Sequence, residues 1–162
     1  MPLRRLRTDT EPARPPWDWF RPSLPKKAYR KVVAIVPACN EADAITATVR
    51  ALRQQSRAPD RIVVAVNNTT DNTAGLAREA GAEVMILADN KFMKAGAMNQ
   101  ALDAVMPGLD DEDMVLIQDA DTCLNPDFTK YAVEAMRPGI GGVCARYDNP
   151  APRNLIERLQ AS

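Results

Sequence analysis

The chain of 162 residues contains no histidine. Its absence removes the commonest general base near neutral pH and the commonest zinc ligand. The three cysteines, Cys39, Cys123 and Cys144, show no Cys-x-x-Cys spacing, so neither a zinc ribbon nor a dithiol centre is expected. An odd count fits reduced thiols and a cytoplasmic location better than a disulfide framework. Two phosphate-binding fingerprints are also missing, G-x-G-x-x-G after the first expected strand and G-x-x-x-x-G-K-[ST] anywhere. Their absence disfavours a nicotinamide enzyme and a P-loop NTPase. No run approaches the roughly 20 apolar residues of a membrane span. The start, Met1-Pro2-Leu3-Arg4-Arg5-Leu6-Arg7, lacks the apolar stretch of a secretory signal.

Charge is balanced in total and uneven along the chain. Residues 1–31 carry nine basic and three acidic side chains, and the remainder twelve and eighteen. An acidic body argues against nucleic acid as a partner, because phosphate backbones demand a basic footprint. It suits a site in which a metal cation receives an anionic substrate. The length allows one ordinary core, hence one domain over 31–162 and an extension. Residues 1–30 hold six of the thirteen prolines and are read as a Pro-rich, basic, disordered arm. Within it Trp17-Asp18-Trp19-Phe20, beside Arg14 and Arg21, either packs back on the domain or offers a peripheral contact to a membrane or protein.

From residue 31 the pattern is regular. Strands are expected at 32–36, 61–66, 83–87, 114–118 and 142–147. Between them lie helices with Ile45, Val49 and Leu52, then an Ala-rich stretch ending at Gly81, then Met98, Ala101, Leu102 and Val105 on inward faces. Asn40 is expected to cap the first helix, and Thr70 or Asp71 the second. Pro107-Gly108 stops the third. Asn125-Pro126 opens a fourth with Phe128, Tyr131, Ala132 and Ala135 inward, and 154–160 begins another. Alternating strands and helices with short joins mean βαβ units, an α/β fold with a mainly parallel, Rossmann-like sheet flanked by helices.

The apolar run Met114-Val115-Leu116-Ile117 leads to Asp119 and Asp121, spaced i, i+2. In an extended chain both carboxylates project to one side, at the sheet edge where open α/β folds place ligands. Two hard oxygen donors there suit Mg²⁺ or Mn²⁺ bridging to a phosphate-bearing substrate. Three more polar clusters fall on that edge: Pro37-Ala38-Cys39-Asn40-Glu41, Asn67-Asn68-Thr69-Thr70-Asp71, and Lys94-Ala95-Gly96-Ala97-Met98-Asn99 before the third helix. Each alone has a structural reading as cap, turn or solvated charge. Together they supply what a nucleoside diphosphate needs. Asn67 offers hydrogen bonds to a base, Gly96 and Lys94 a helix start and a cation for phosphates, and Asp121 a metal ligand.

These clusters, in this order, resemble the family 2 glycosyltransferases of GT-A fold. Val33 to Glu41 is similar to that family's opening strand and Pro-x-x-Asn-Glu turn, Lys94 to Asn99 to its Lys-x-Gly-Ala-(Leu/Met)-Asn segment, and Asp119-Ala120-Asp121 to its DxD motif. The resemblance implies that Pro37, Ala38, Asn40, Glu41 and Asn67 hold the nucleoside of a UDP- or GDP-linked sugar. Lys94 and Gly96 would lie near ribose and diphosphate. Asp119 and Ala120 would meet the ribose or donor sugar, and Asp121, with Asp119, the Mg²⁺ or Mn²⁺. It implies inversion, with an acceptor hydroxyl attacking as the metal stabilises the leaving diphosphate. The family usually has an acid where Asn67 stands, which implies altered base recognition.

The family's catalytic base lies well downstream of DxD, in an acceptor-binding half. Only residues 122–162 follow Asp121 here, and none matches that motif, so no catalytic residue is assigned. The expectation is a donor-binding half that either meets a complementing polypeptide or is cut short. The alternative is a non-catalytic nucleotide-sugar-binding or scaffold module of the same fold. Residues 115–124 also resemble, superficially, the Asp-x-Asp loop of haloacid-dehalogenase-like phosphatases, but three βα units precede them here.

Overall fold

The computed structural model of the chain describes residues 31–87, 93–137 and 139–145. The arm at 1–30 and the helix expected at 154–160 lie outside these residues. The elements are β1 (Val32–Ala38), α1 (Ile45–Arg53), β2 (Arg61–Asn67), α2 (Thr73–Glu79), β3 (Glu83–Leu87), α3 (Met93–Val105), a 3-10 turn at Met106–Gly108, β4 (Met114–Ile117) and α4 (Phe128–Ala135). The sheet is parallel throughout, in the order β3-β2-β1-β4. None of the described helices is long and apolar enough to cross a membrane.

β1 lies at the centre because both its faces are apolar. Val32, Ala34, Val36 and Ala38 enter a core with Ile45, Val49 and Leu52 of α1, Ala77 of α2 and Ala132 of α4. Val33 and Ile35 enter a second core with Ala97, Ala101 and Val105 of α3. Period-two alternation thus feeds a three-layer sandwich. Each fully buried Val or Ile contributes about 1.5–3 kcal/mol relative to exposure. Carboxylates fix the amino end of β1: Asp60 Oδ2 accepts from Val32 N at 2.8 Å, and Asp113 Oδ1 from Lys31 N at 3.2 Å.

The strand order creates an opening. After β3 the chain crosses back over β1 to form β4, so α3 covers one face of the sheet and α1, α2 and α4 the other, and the strand order reverses between β1 and β4. Lys31 and Ile35 direct their carbonyls to β4, accepting from Met114 N and Gln118 N. Pro37, two residues on, faces the same side but lies beyond Ile117, the last paired residue of β4. The next ladder bond would run from the N–H of residue 37 to Gln118 O, so the missing N–H of Pro37 ends the β1–β4 ladder at this point.

Three local expectations are corrected. Residues 139–145 contain no strand, so the described part of the expected 142–147 strand is irregular and largely exposed. In α4 Thr129 and Ala132 are buried and Phe128 packs, partly buried, against the same core, whereas Tyr131 and Ala135 are exposed. The amide of Thr129 donates to Gln55 Oε1 at 3.0 Å, which sets the helix's rotation against α1. Lys94 and Gly96 stand in the first turn of α3, which begins at Met93, not before it.

Candidate functional site

The turn after β1 and the loop after β2 are joined by side chains. Asn40 and Asn68 both adopt left-handed backbone, with φ of 56° and 49°, a conformation Asn tolerates better than most residues. Asn40 does not cap α1, whose N-cap position is Ala44 with no side-chain bond. Its Oδ1 instead accepts from Thr70 N at 2.8 Å and Thr70 Oγ1 at 3.2 Å. Asn40 N donates to Thr69 Oγ1, and Glu41 N to Thr73 Oγ1 at 2.9 Å. Asp71 likewise stands one residue before the N-cap position of α2, Asn72. One of its oxygens accepts from Thr73 N at 2.9 Å, and the other from Ala42 N at 3.1 Å. The Thr73 hydroxyl, followed by these backbone amides, holds the Asp71 carboxyl below its ordinary range.

Asn67 closes β2 on the α3 side, paired with Leu87. It is 4% exposed, and its Oδ1 has no hydrogen-bond partner among the described residues. A buried amide oxygen without a donor is costly.

At the other side of the opening β4 ends at Ile117, two residues before Asp119. The i, i+2 acids therefore sit on a turn and not on the strand itself; Thr122 N donates to Asp119 O at 3.2 Å. Asp119 is half-buried and Asp121 exposed. Lys94 Nζ, reaching from the first turn of α3, pairs with Asp119 Oδ1 at 2.5 Å. Asp121 has no ion-pair or hydrogen-bond partner among the described residues, and no group of three metal-ligating side chains occurs among them. Two carboxylates without a third protein donor fit Mg²⁺ or Mn²⁺ of the kind completed by substrate phosphates, not by a protein cage.

Pro37 and Ala38 are buried, with Pro37 at the opening's floor, while Gly96 is buried beneath Lys94's turn. All the expected site residues thus reach the carboxyl edge of the sheet. β2 and β4 are two strand spacings apart, about 10 Å, a gap that a nucleoside diphosphate can bridge. A separate cleft at the opposite edge, lined by Arg53, Pro59, Asp60, Arg61 and Glu83, has its charges satisfied internally. Arg61 pairs with Glu83 at 2.8 Å, Arg57 with Asp60 at 3.0 Å, and Arg53 donates to Gly81 O.

Two residues that sequence reasoning missed lie beneath the Asp119–Asp121 turn. Thr48 and Gln55 of the α1 region are both buried, at 1% and 6% exposure. The signal was present: both fall on the stripe of Ile45, Val49 and Leu52, where a polar side chain needs an internal partner.

The sequence profile described as Glycosyl transferase family 2 matches residues 33–160. No curated protein matches the sequence. Among solved structures, glucosyl-3-phosphoglycerate synthase from Mycobacterium tuberculosis, in complex with Mn²⁺, uridine diphosphate and glucosyl-3-phosphoglycerate, is similar with a TM-score of 0.53 and 24% identity, over 71% of this chain and 44% of that one. The same synthase with Mn²⁺, UDP-glucose and phosphoglyceric acid gives 0.55 and 23%, over 75% and 46%. Mannosyl-3-phosphoglycerate synthase from Rubrobacter xylanophilus gives 0.50 and 28%, over 64% and 35%. The chain matches less than half the length of these structures.

Proposed function

Because this chain belongs to glycosyl transferase family 2, we infer that its carboxyl sheet edge binds a nucleotide-diphospho-sugar together with a divalent cation, as the donor site of an inverting sugar transfer to an acceptor hydroxyl. The observation that carries this reading is the pairing of Lys94 with Asp119 beside an exposed Asp121 that has no partner among the described residues. Cation and carboxylates meet there at the opening between β1 and β4. Mn²⁺ and UDP are named in the neighbouring synthase structures, which supports the same class of ligand here.

Each residue has a distinct part. Asn67 Oδ1 accepts an imide N–H of the base, and Pro37 to Glu41 form the wall against which the nucleoside lies. Lys94 neutralises phosphate charge, and Gly96 lets the first turn of α3 approach it. Asp119 orients ribose or sugar, and with Asp121 offers the oxygens for Mg²⁺ or Mn²⁺. The cation, when bound, stabilises negative charge on the leaving diphosphate. Transfer would draw the acceptor-binding residues and the base from outside the motifs described, either from a complementing polypeptide or from further chain. A binding module without transfer is the alternative.

Calorimetric titration of the chain with UDP, with and without Mn²⁺, tests the donor site. Binding is expected only with the metal, and Asp121→Ala is expected to weaken it at least tenfold. Equal binding by that variant would remove the metal from the reading, and no binding by the wild-type chain would remove the donor site.

A further inference from the structure

Among the described residues, the turn that bears Asp119 and Asp121 has no strand beside it. β4 pairs only with β1 in the described sheet and stops at Ile117, so the carbonyls of residues 120–126 have no ladder donors. Buried carbonyls require partners, and Ala120 is 3% exposed. Three side-chain donors fill the gap. Thr48 Oγ1 donates to Ala120 O at 2.6 Å, Gln55 Nε2 to Asn125 O at 2.8 Å, and Gln118 Nε2 to Thr122 O at 2.5 Å. Ser56 N adds a bond to Pro126 O at 2.9 Å.

Thr48 is the informative member. A threonine inside a helix ordinarily turns its hydroxyl back to a carbonyl of the preceding turn. Here the backbone bond from Thr48 N to Ala44 O is intact at 3.1 Å, yet the hydroxyl reaches a residue 72 positions away. Its acceptor is the peptide between the two acids. Rotating that peptide would swing Asp119 and Asp121 relative to each other, and a two-carboxylate site tolerates little such movement because its donors must fit an octahedral cation.

We propose that Thr48 is a positioning residue, which fixes the spacing of Asp119 and Asp121 through the Ala120 carbonyl and so sets the affinity for a divalent cation held with a nucleoside diphosphate. The proposal rests on the donor-site reading above and extends it to a side chain that touches no ligand. α1, which follows β1, thereby couples the nucleoside wall to the metal-binding turn.

The test compares Thr48→Val, which keeps the shape and removes the hydroxyl, with Thr48→Ser, which keeps the hydroxyl. Titration with UDP in the presence of Mn²⁺ is expected to show roughly tenfold weaker binding for Val and near wild-type binding for Ser. Hydrogen exchange without ligand is expected to quicken at the amides of residues 119–122 in Val alone. Should Val fail to fold, Thr48→Ala replaces it, with Ser as the same rescue. Wild-type affinity in a folded Val or Ala variant overturns the proposal, as does loss of affinity in Ser equal to that in Val. If the wild-type chain binds no UDP, the donor-site reading fails and the proposal with it. The exchange data then still decide whether the hydroxyl holds the turn.

Discussion

Asp71 joins two loops with one carboxylate, one oxygen on Thr73 and the other on Ala42 N. Its pKa is lowered, chiefly by the Thr73 hydroxyl, against the opposing effect of desolvation. A carboxyl held lower in the folded than in the unfolded chain stabilises the fold above the unfolded value, and that contribution disappears as pH falls through the folded one. Asp71→Asn is therefore expected to lower Tm at pH 6, with the difference from wild type shrinking below about pH 4. Thermal scans across that window check it, and a difference independent of pH would assign the effect to shape alone. The sequence marked Asp71 and Asn40 as polar residues near helix starts but misjudged both partners. A cap is inferred from local spacing, whereas Asn40 Oδ1 bonds Thr70, 30 positions away, and Asp71 adds Ala42 N, 29 positions away, to Thr73 at the start of α2. The sequence suggested Asn67 as a candidate; that its oxygen is buried without a donor among the described residues was not visible there.

At the scale of elements, α2 ends where the sequence placed its end. Gly81 has φ of +92°, and an added Cβ would lie 2.9 Å from Arg53 Nη1. That guanidinium also donates to Gly81 O at 3.2 Å. Gly81→Ala is expected to destabilise the fold by about 1–2 kcal/mol, since an L-residue resists left-handed backbone. Gly108→Ala, with nothing within 4 Å of its added Cβ, serves as the control and should change stability far less. Urea denaturation of both variants measures the contrast, and equal effects would refute the backbone argument. The strand spans were readable because β-branched runs such as 32–36 and 61–66 admit few alternatives. The rotation of α4 was not, because its apolar residues fit two faces and the bond from Thr129 N to Gln55 chose between them.

For the whole molecule, the expected binding edge includes residues from β1, β2, α3 and the turn after β4, so a ligand there would bridge much of the described sheet. A ligand that binds only the folded state stabilises it by about 2.7 kcal/mol at one hundred times its Kd. UDP with Mn²⁺ at that excess is expected to raise Tm by roughly 10 °C, whereas Mn²⁺ alone should do little. Two carboxylates, one already paired with Lys94, offer few ligands without the diphosphate. A comparable rise from Mn²⁺ alone would point to a preformed cage and count against the shared site.

The sequence by itself determined the alternation of strands and helices, the parallel sheet and the family. Those depend on local periodicity and on short motifs that survive without knowledge of neighbours. It also located the four clusters at one edge, because in a parallel βαβ sheet every strand ends on the same side. Tertiary structure decided how those clusters are held. The missing N–H of Pro37 ends the β1–β4 ladder, and the segment after β4 accepts from Thr48 at Ala120 O and from Gln55 at Asn125 O, side chains that in sequence are merely polar residues on an apolar stripe. Hydrogen-bond partners of buried groups are chosen by proximity in space, and no spacing along the chain encodes that choice.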